Sequence, residues 1–285
     1  MPRTKLTVVG GPTASGKTTL AIKLAKQYGT EIISADSRQF YTEMKIGNAR
    51  PTEEELAAVP HHFVADRSIL DPLTAGSFAR EALQLYHDRF TGAEHLIVVG
   101  GSGLYLRALC EGLDEFPDVT DAARSRVQCL WEEKGIAGWQ QLLAELDPTT
   151  YATVDRANPR RLQRMLEVSL SEGQPYSSYL GKRPARPFDV AYLTTDLPRE
   201  LLYDRINRRV AQMVAAGLEA EAQSLTVHQD LPALQTVGYR EWWPYFRGEY
   251  NRARVIELIK QHSRRYAKRQ GTWFRGANYM PVVTP

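Results

Sequence analysis

The chain contains few of the residues and segments that several protein classes require. Its 285 residues include only two cysteines, Cys110 and Cys129, which cannot form a disulfide framework and lie in no CxxC pattern. No apolar run approaches the roughly 18 residues of a membrane-spanning helix, and the first residues lack the apolar segment of a signal peptide. We therefore expect a cytoplasmic protein without a membrane segment.

The chain also has few histidines and a small net charge. The six histidines show no metal-site spacing, and His61 and His62 are predicted to lie in a structural turn. The net charge is only +3, from 36 basic and 33 acidic residues, which by itself is a weak indicator of a nucleic-acid partner. The charge is unevenly placed, however, because arginines gather at 156–164 and basic residues at 252–275.

Short apolar runs alternate with helical patterns in the first hundred residues. The runs lie at 6–9, 31–35 and 96–99, and amphipathic helices are indicated at 17–28 and 77–90. This alternation predicts an α/β fold with a parallel sheet flanked by helices on both faces. Ligands of such sheets bind beyond the carboxyl ends of the strands, where all three runs end in polar or glycine residues.

The pattern changes after about residue 113. The later elements are a linker at 114–121, a helical stretch at 122–172, a loop at 173–187, a strand at 189–194, and helices at 199–224 and 252–270. We therefore predict a core made of residues 1–113 and 189–285, with a small all-helical domain inserted at 114–188.

A phosphate-binding loop follows the first strand and opens the first helix. It matches GxxxxGK[ST] with Gly11, Pro12, Thr13, Ala14, Ser15, Gly16, Lys17 and Thr18. Glycines let backbone N–H groups surround phosphate oxygens, and the helix N-terminus adds partial positive charge. Lys17 supplies a full charge, and the Thr18 hydroxyl is a ligand for Mg²⁺. The motif predicts a phosphate-bearing ligand.

A carboxylate is expected near this loop, but the strand at 96–99 ends in Gly100, Gly101 and Ser102 rather than in an aspartate. Asp36 directly follows the second run and is the other candidate. It can hold Mg²⁺ through water, act as a general base, or cap a turn.

Several ordered segments resemble the tRNA dimethylallyltransferase, or tRNA isopentenyltransferase, family. They are GPTASGKT at 11–18, SADSRQFY at 34–41, GGSGLYL at 100–106, NPRRLQR at 158–164, RVAQMVAAGLEAE at 209–221, QTVGYRE at 235–241 and QGTWFR at 270–275. The resemblance spans about residues 6–275 and implies a P-loop NTPase-like core. It further implies transfer of a dimethylallyl group from dimethylallyl diphosphate to N6 of adenosine 37 beside the tRNA anticodon, assisted by Mg²⁺.

The same resemblance implies roles for individual residues. Asp36 is the expected general base, Ser102 lies near the reacting amine, and Lys17 with the loop, Arg205 and Arg209 binds the diphosphate. The expected tRNA contacts are Asp36, Ser37, Arg38, Gln39, Ser102, Arg124, Arg160, Arg161, Leu162, Gln163 and Arg164. Independently, four arginines within nine positions of one predicted helix are typical of a surface that binds a phosphate backbone. We expect a monomer that binds the tRNA anticodon stem-loop.

Three points stay open: one departure from the family motif, the role of one basic tract, and the competing functions. The family has Gly-Thr-Ala-Lys-Pro where residues 47–51 read Gly-Asn-Ala-Arg-Pro, so the role of Asn48 is undetermined. The tract at 252–275 fits RNA contact and a solvated helix face equally well. Competing functions are an adenylate isopentenyltransferase, a small-metabolite P-loop kinase and a non-catalytic RNA-binding protein.

Overall fold

The computed structural model describes residues 3–283. Within these residues the strands are β1 (Thr4–Gly10), β2 (Ile32–Ser34), β3 (His61–His62), β4 (His95–Gly100), β5 (Phe188–Asp196) and β6 (Met280–Val283). They form one parallel sheet in the order β3-β2-β4-β1-β5-β6. Because β4 lies between β1 and β2, the loops that leave these three strands start side by side at one edge of the sheet.

Helices account for most of the remaining described chain. They are α1 (Lys17–Tyr28), α2 (Glu53–Ala58), α3 (Ala75–Leu85), α4 (Gly103–Glu111), α5 (Asp121–Leu146), α6 (Pro148–Thr153), α7 (Pro159–Glu172), α8 (Arg199–Ala215), α9 (Leu218–Ser224), α10 (Trp242–Phe246) and α11 (Arg252–Gly276). The predicted α/β class with a parallel sheet is confirmed. No helix within residues 3–283 combines the length and apolar character needed to cross a membrane.

The sheet is buried on both faces, as its uninterrupted apolar runs require. Successive strand residues point to opposite faces. Val8, Ile33 and Val98 therefore belong to a large core cluster on one face. Their neighbours on the other face form a separate cluster with helix α1, made of Val9, Ile32, Ile97, Ala21 and Ala25.

The chain divides into two compact units. The first comprises residues 1–110 and 186–285 and contains the sheet. The second, Glu111–Ala185, begins and ends three residues before the predicted insertion at 114–188. It contains α5 to α7, and its core is formed by Val127, Trp139, Leu143, Leu162 and Leu166.

Several local predictions were wrong in detail. His61 and His62 form β3 beside β2 rather than a turn. Strand β6 was missed because Pro281 weakens its strand pattern, and proline is tolerated there only because β6 is an edge strand. The single helix predicted at 199–224 is two helices, because Gly217 adopts a left-handed conformation with φ of 102° between α8 and α9.

Candidate active site

The phosphate-binding loop presents the N-terminus of α1 to the cleft above it. Gly16 adopts a left-handed conformation with φ of 86°, and no side chain among the described residues caps the first N–H groups of α1. Those N–H groups are therefore available to an anion. Ala14 also has a positive φ of 63°, which is unusual for a residue with a Cβ. Its methyl group packs with Ile206 and Ala267, so packing between α8 and α11 holds this strained loop in place.

Two desolvated cations face this loop. Lys17 is only 8% exposed, and the hydrogen bond of its Nζ is a 3.4 Å contact to the Pro12 carbonyl oxygen. Burial lowers the pKa of Lys17; Asp36 opposes this effect and Arg209 adds to it. Burial likewise lowers the pKa of Arg209, against the attraction of Glu55 and Asp36. Among residues 3–283, neither cation forms a salt bridge.

A desolvated cation is costly when unpaired, so this arrangement favours a polyanionic ligand. The cleft over the loop has a volume of about 460 Å³ and is lined by residues 13–19 together with Asp36, Gln39 and Arg209. The ammonium, the guanidinium and the free N–H groups of α1 would together neutralise several negative oxygens. A diphosphate or a longer phosphate chain matches this charge distribution.

Asp36 also borders a second, smaller cavity. This inner cavity has a volume of about 90 Å³, and its polar wall includes Thr13, Arg38, Arg209 and Tyr266. The rest of its lining is mostly apolar and includes Ile206, Val210, Met213, Val237 and Ile259. Asp36 thus lines both the phosphate-binding cleft and an inner cavity that is partly apolar.

Ser37 and Ser102 join the ends of β2 and β4 next to Asp36. The Ser37 backbone N–H donates to Ser102 Oγ at 3.0 Å, and Ser102 Oγ donates to Ser37 Oγ at 3.0 Å. Tyr266 of α11 lies close to the Ser102 side chain. Burial raises the pKa of Tyr266 to about 12, helped by the nearby Asp36, so its hydroxyl stays protonated at neutral pH.

Gln39 and Asn48, two polar residues near Arg38, form hydrogen bonds with the protein backbone. Gln39 is 9% exposed, and its Nε2 donates to the Ala49 carbonyl oxygen at 3.1 Å. Asn48 Nδ2 donates to the carbonyl oxygens of Arg38 and Met44, and Asn48 Oδ1 accepts from the Arg50 backbone N–H at 3.0 Å. Asn48 therefore fixes the backbone of this loop, which accounts for a polar residue at the position where the family motif has threonine.

The two predicted diphosphate arginines differ in position. Arg209 lines both the cleft and the inner cavity. Arg205 lies one turn earlier on α8, is half-buried, and is not among the residues lining either space. The geometry therefore brings Arg209, Lys17 and Asp36 together and leaves Arg205 further from the cleft.

The predicted tRNA-contacting residues of the helical unit differ in exposure, because its arginines are exposed and Leu162 is buried. Arg124, Arg160 and Arg161 are exposed and form no ion pair with any residue among 3–283. Arg164 lies over the Phe116 ring, with 5.7 Å between its Cζ and the ring centroid. Leu162 differs from these arginines, because its side chain is 0% exposed and packs in the core of this unit.

Gln163 is half-buried and donates from Nε2 to Glu167 Oε1 at 2.8 Å. Residues 160–164 therefore alternate between an outward basic surface and an inward apolar contact, as an amphipathic helix does. The exposed contribution of this segment consists of its arginines.

Tyr266 and Gln270 were missed as site residues. Both lie on α11, for which the sequence left RNA contact and a solvated helix face equally open and indicated a core face at Val255 and Ile259. Gln270 is 6% exposed, which the sequence does not show, because glutamine is usually a surface residue. Its place in the QGTWFR segment was the only signal.

Known proteins resemble this chain over most of its length. A family model described as IPP transferase matches residues 39–277. The tRNA dimethylallyltransferase of Flavobacterium psychrophilum is 45% identical over 277 residues, covering 95% of this chain and 90% of that protein. The enzyme of the same name from Christiangramia forsetii is 47% identical over 266 residues, covering 93% and 88%.

Solved structures give the same result. The tRNA isopentenylpyrophosphate transferase of Bacillus halodurans superposes with a TM-score of 0.71 at 34% identity, covering 98% of this chain and 89% of that chain. A eukaryotic dimethylallyltransferase acting on tRNA superposes with a TM-score of 0.83, covering 98% of this chain and 74% of that chain. Its identity is only 24%, so this second likeness shows the fold alone.

Proposed function

Because the chain belongs to the IPP transferase family, we propose that it transfers a dimethylallyl group from dimethylallyl diphosphate to N6 of adenosine 37 in tRNA. The family resemblance predicted from the sequence motifs is confirmed by the family model and by relatives named tRNA dimethylallyltransferase. The protein is accordingly a prenyltransferase. The identity of the donor, the position of the base and the roles of individual residues are our proposals.

The observation that carries the proposal is the position of Asp36 between two different environments. On one side lie the cations Lys17 and Arg209 and the phosphate-binding loop. On the other lies the inner cavity, which Arg209 also borders and which adds the apolar side chains of Ile206 and Val210. A donor with an anionic diphosphate and a small apolar group fits these two environments, and the carboxylate lies where they meet.

The reaction breaks the bond between C1 of the dimethylallyl group and the diphosphate oxygen, and it forms a bond from C1 to N6. Negative charge develops on the leaving diphosphate. Lys17, Arg209 and the free N–H groups at the start of α1 are positioned to stabilise that charge. Because these groups are held in place by the fold, they need little reorganisation during the reaction.

The acceptor is an aromatic amine whose lone pair is delocalised, so it must lose a proton as the new bond forms. The Asp36 carboxylate is the proposed proton acceptor. Ser102 and Ser37 lie beside it and offer hydroxyl groups to the adenine. Tyr266, kept protonated by burial, lies close to Ser102 on the side of α11.

Mg²⁺ fits the donor groups of the cleft. The Thr18 hydroxyl and the Asp36 carboxylate line the same space, and both are oxygen ligands of the kind Mg²⁺ prefers. Mg²⁺ is commonly held by one or two protein groups together with substrate phosphates. We propose that Thr18 and Asp36 would hold the ion, which would offset the charge of the diphosphate.

The helical unit is the proposed tRNA-binding domain. Its exposed arginines Arg124, Arg160 and Arg161 have no carboxylate partners within residues 3–283, so their charges are available to RNA phosphates. Adenosine 37 must leave its stack to reach a base held inside a protein, and phosphate contacts elsewhere offset that energy.

A direct assay compares acceptors and donors. The protein is incubated with Mg²⁺ and either labelled dimethylallyl diphosphate or labelled ATP, with an unmodified anticodon stem-loop or AMP as acceptor. We expect label on the stem-loop from dimethylallyl diphosphate alone. Label on AMP but not on RNA would identify an adenylate isopentenyltransferase, and phosphate transfer from ATP would identify a kinase; either result rejects the proposal.

A further inference from the structure

Gln270 connects the phosphate-binding loop, on the donor side of the proposed reaction, with the loop after β4, on the acceptor side. Its Oε1 accepts a hydrogen bond from the Thr13 backbone N–H at 3.0 Å, and its Nε2 donates to the Gly101 carbonyl oxygen at 2.8 Å. Thr13 belongs to the phosphate-binding loop and Gly101 to the loop after β4. One side-chain amide therefore links segments 88 positions apart.

The side-chain amide of Gln270 is buried, and both its oxygen and its nitrogen form hydrogen bonds. Gln270 is only 6% exposed, so an amide left without hydrogen-bond partners here would be costly. The buried Gly101 carbonyl oxygen would likewise be left unsatisfied if it lost its partner. Such a two-sided hydrogen bond fixes the distance between the two loops.

Gly101 lies where three strand ends meet. A Cβ atom added there would lie 2.4 Å from Gln270 Nε2, 3.4 Å from Asp36 Oδ2 and 3.4 Å from the Gly11 carbonyl oxygen. The absence of a side chain lets the Gln270 amide reach the backbone. The residue after Gly101 is Ser102, whose hydroxyl bonds to Ser37 beside Asp36.

We propose that Gln270 is a positioning residue that fixes the phosphate-binding loop relative to Ser102 and Asp36, and thereby sets the distance between donor and acceptor. This inference rests on the proposed prenyl transfer. Gln270 acts through Thr13 and Gly101 rather than by touching the substrates. Its effect should therefore appear in kcat, since misplacing reacting groups by about 1 Å can lower the rate about 100-fold.

Two substitutions separate the two hydrogen bonds. Gln270→Met keeps the length of an unbranched side chain but loses both bonds. Gln270→Glu keeps an acceptor for the Thr13 N–H but, when ionised, cannot donate to the Gly101 carbonyl oxygen. Gln261→Ala is the matched control, because Gln261 is exposed on the same helix. Each variant is assayed for kcat, for the KM of both substrates and for melting temperature.

We expect kcat to fall roughly 10- to 100-fold in Gln270→Met, with the tRNA KM unchanged. Gln270→Glu should show a similar loss at neutral pH. At saturating dimethylallyl diphosphate its kcat relative to wild type should rise as the pH is lowered, because the protonated carboxyl regains an O–H donor for Gly101. Gln270→Met should show no such recovery, and Gln261→Ala should match wild type.

Wild-type kcat in either variant, or a loss in Gln270→Glu without recovery at lower pH, would overturn the positioning role. The pH comparison follows the ratio of Gln270→Glu to wild type across the pH series, and a lower melting temperature alone would not make that ratio rise as the pH falls. If wild-type protein transfers no dimethylallyl group, the proposed function fails, and that failure is visible before any Gln270 variant is compared.

Discussion

The Ser37 backbone N–H donates a hydrogen bond to Ser102 Oγ at 3.0 Å, although the two residues are 65 positions apart. This contact exists because β2 and β4 are neighbours in the sheet, with Ser34 paired to Val99 at their ends. It places a serine from each strand beside Asp36. The acceptor side of the site is thus assembled by strand order.

Replacing the proposed base should abolish most turnover. Asp36→Asn keeps the size and polarity of the side chain but removes a group that accepts a proton, so kcat should fall roughly 10²- to 10⁴-fold. Single-turnover rates with saturating tRNA and donor measure the effect. Asp189→Asn is a suitable control, because Asp189 is exposed and pairs with Arg3 away from the cleft. Near-normal turnover of Asp36→Asn would remove the base assignment.

Removing the loop lysine should affect the donor rather than the RNA. Lys17→Met retains the apolar stem but removes the charge that lines the cleft proposed for the diphosphate. We expect a raised KM for dimethylallyl diphosphate and a lower kcat, with tRNA affinity nearly unchanged. Equilibrium binding of tRNA, measured beside steady-state kinetics, checks this. An equal loss of RNA binding would contradict the assignment of Lys17 to the diphosphate.

The exposed arginines of α7 should govern salt dependence. Changing Arg160 and Arg161 to alanine together should raise the tRNA KM, and the slope of log affinity against log salt should become shallower by about 1.4 to 1.8 for two lost phosphate contacts. Arg247→Ala is a control, because Arg247 is already paired with Glu249 at 2.6 Å. An unchanged slope in the double variant would argue against phosphate contact.

Leu162 should behave differently from its arginine neighbours. Its side chain is fully buried in the core of the helical unit, so Leu162→Ala should reduce stability by about 2–5 kcal/mol. Arg161→Ala should leave stability close to wild type while weakening RNA binding. Thermal unfolding of the two variants gives the comparison. A direct RNA role for the Leu162 side chain would instead reduce affinity without changing the melting temperature.

The stability of the helical unit should depend on pH through Asp147. Burial disfavours its charged form, but hydrogen bonds from Thr150 and Ser177 outweigh burial and lower the pKa of Asp147 below its ordinary value of 3.8. A lowered folded-state pKa stabilises above the unfolded value, and this stabilisation is lost as the pH falls through the folded value.

Asp147→Asn should therefore be less stable than wild type at neutral pH, and the difference should shrink as the pH falls below about 3.8. Urea unfolding over an acidic pH series measures it. A constant difference between the two proteins at all pH values would show that Asp147 stabilises the unit without its charge.

The site was predictable where its chemistry lies in local motifs. The loop at 11–18 carries its own geometry, because glycine and a helix start are visible in the sequence. Asp36 was predicted at the cleft because parallel strands end at one edge of a sheet. The outward face of the arginines at 160 and 161 also agrees with the helical period.

The remainder depends on long-range packing. No local pattern showed that α11 brings Tyr266 and Gln270 to loops more than 160 positions earlier in the chain. Leu162 was assigned to RNA because the motif was taken as one block, whereas helical periodicity directs that residue inward. Strand β6 depended on pairing with β5, which supplies the stability that its own sequence lacks.

The most direct test of the central claim is the position of the transferred group. Unmodified tRNA is treated with the protein, Mg²⁺ and labelled dimethylallyl diphosphate, then digested to nucleosides and short fragments for mass spectrometry. The account predicts label on N6 of adenosine 37, formed roughly 10²- to 10⁴-fold more slowly when Asp36→Asn replaces the wild-type protein. Label on another nucleotide, or no label on RNA beside active transfer to AMP, would contradict it.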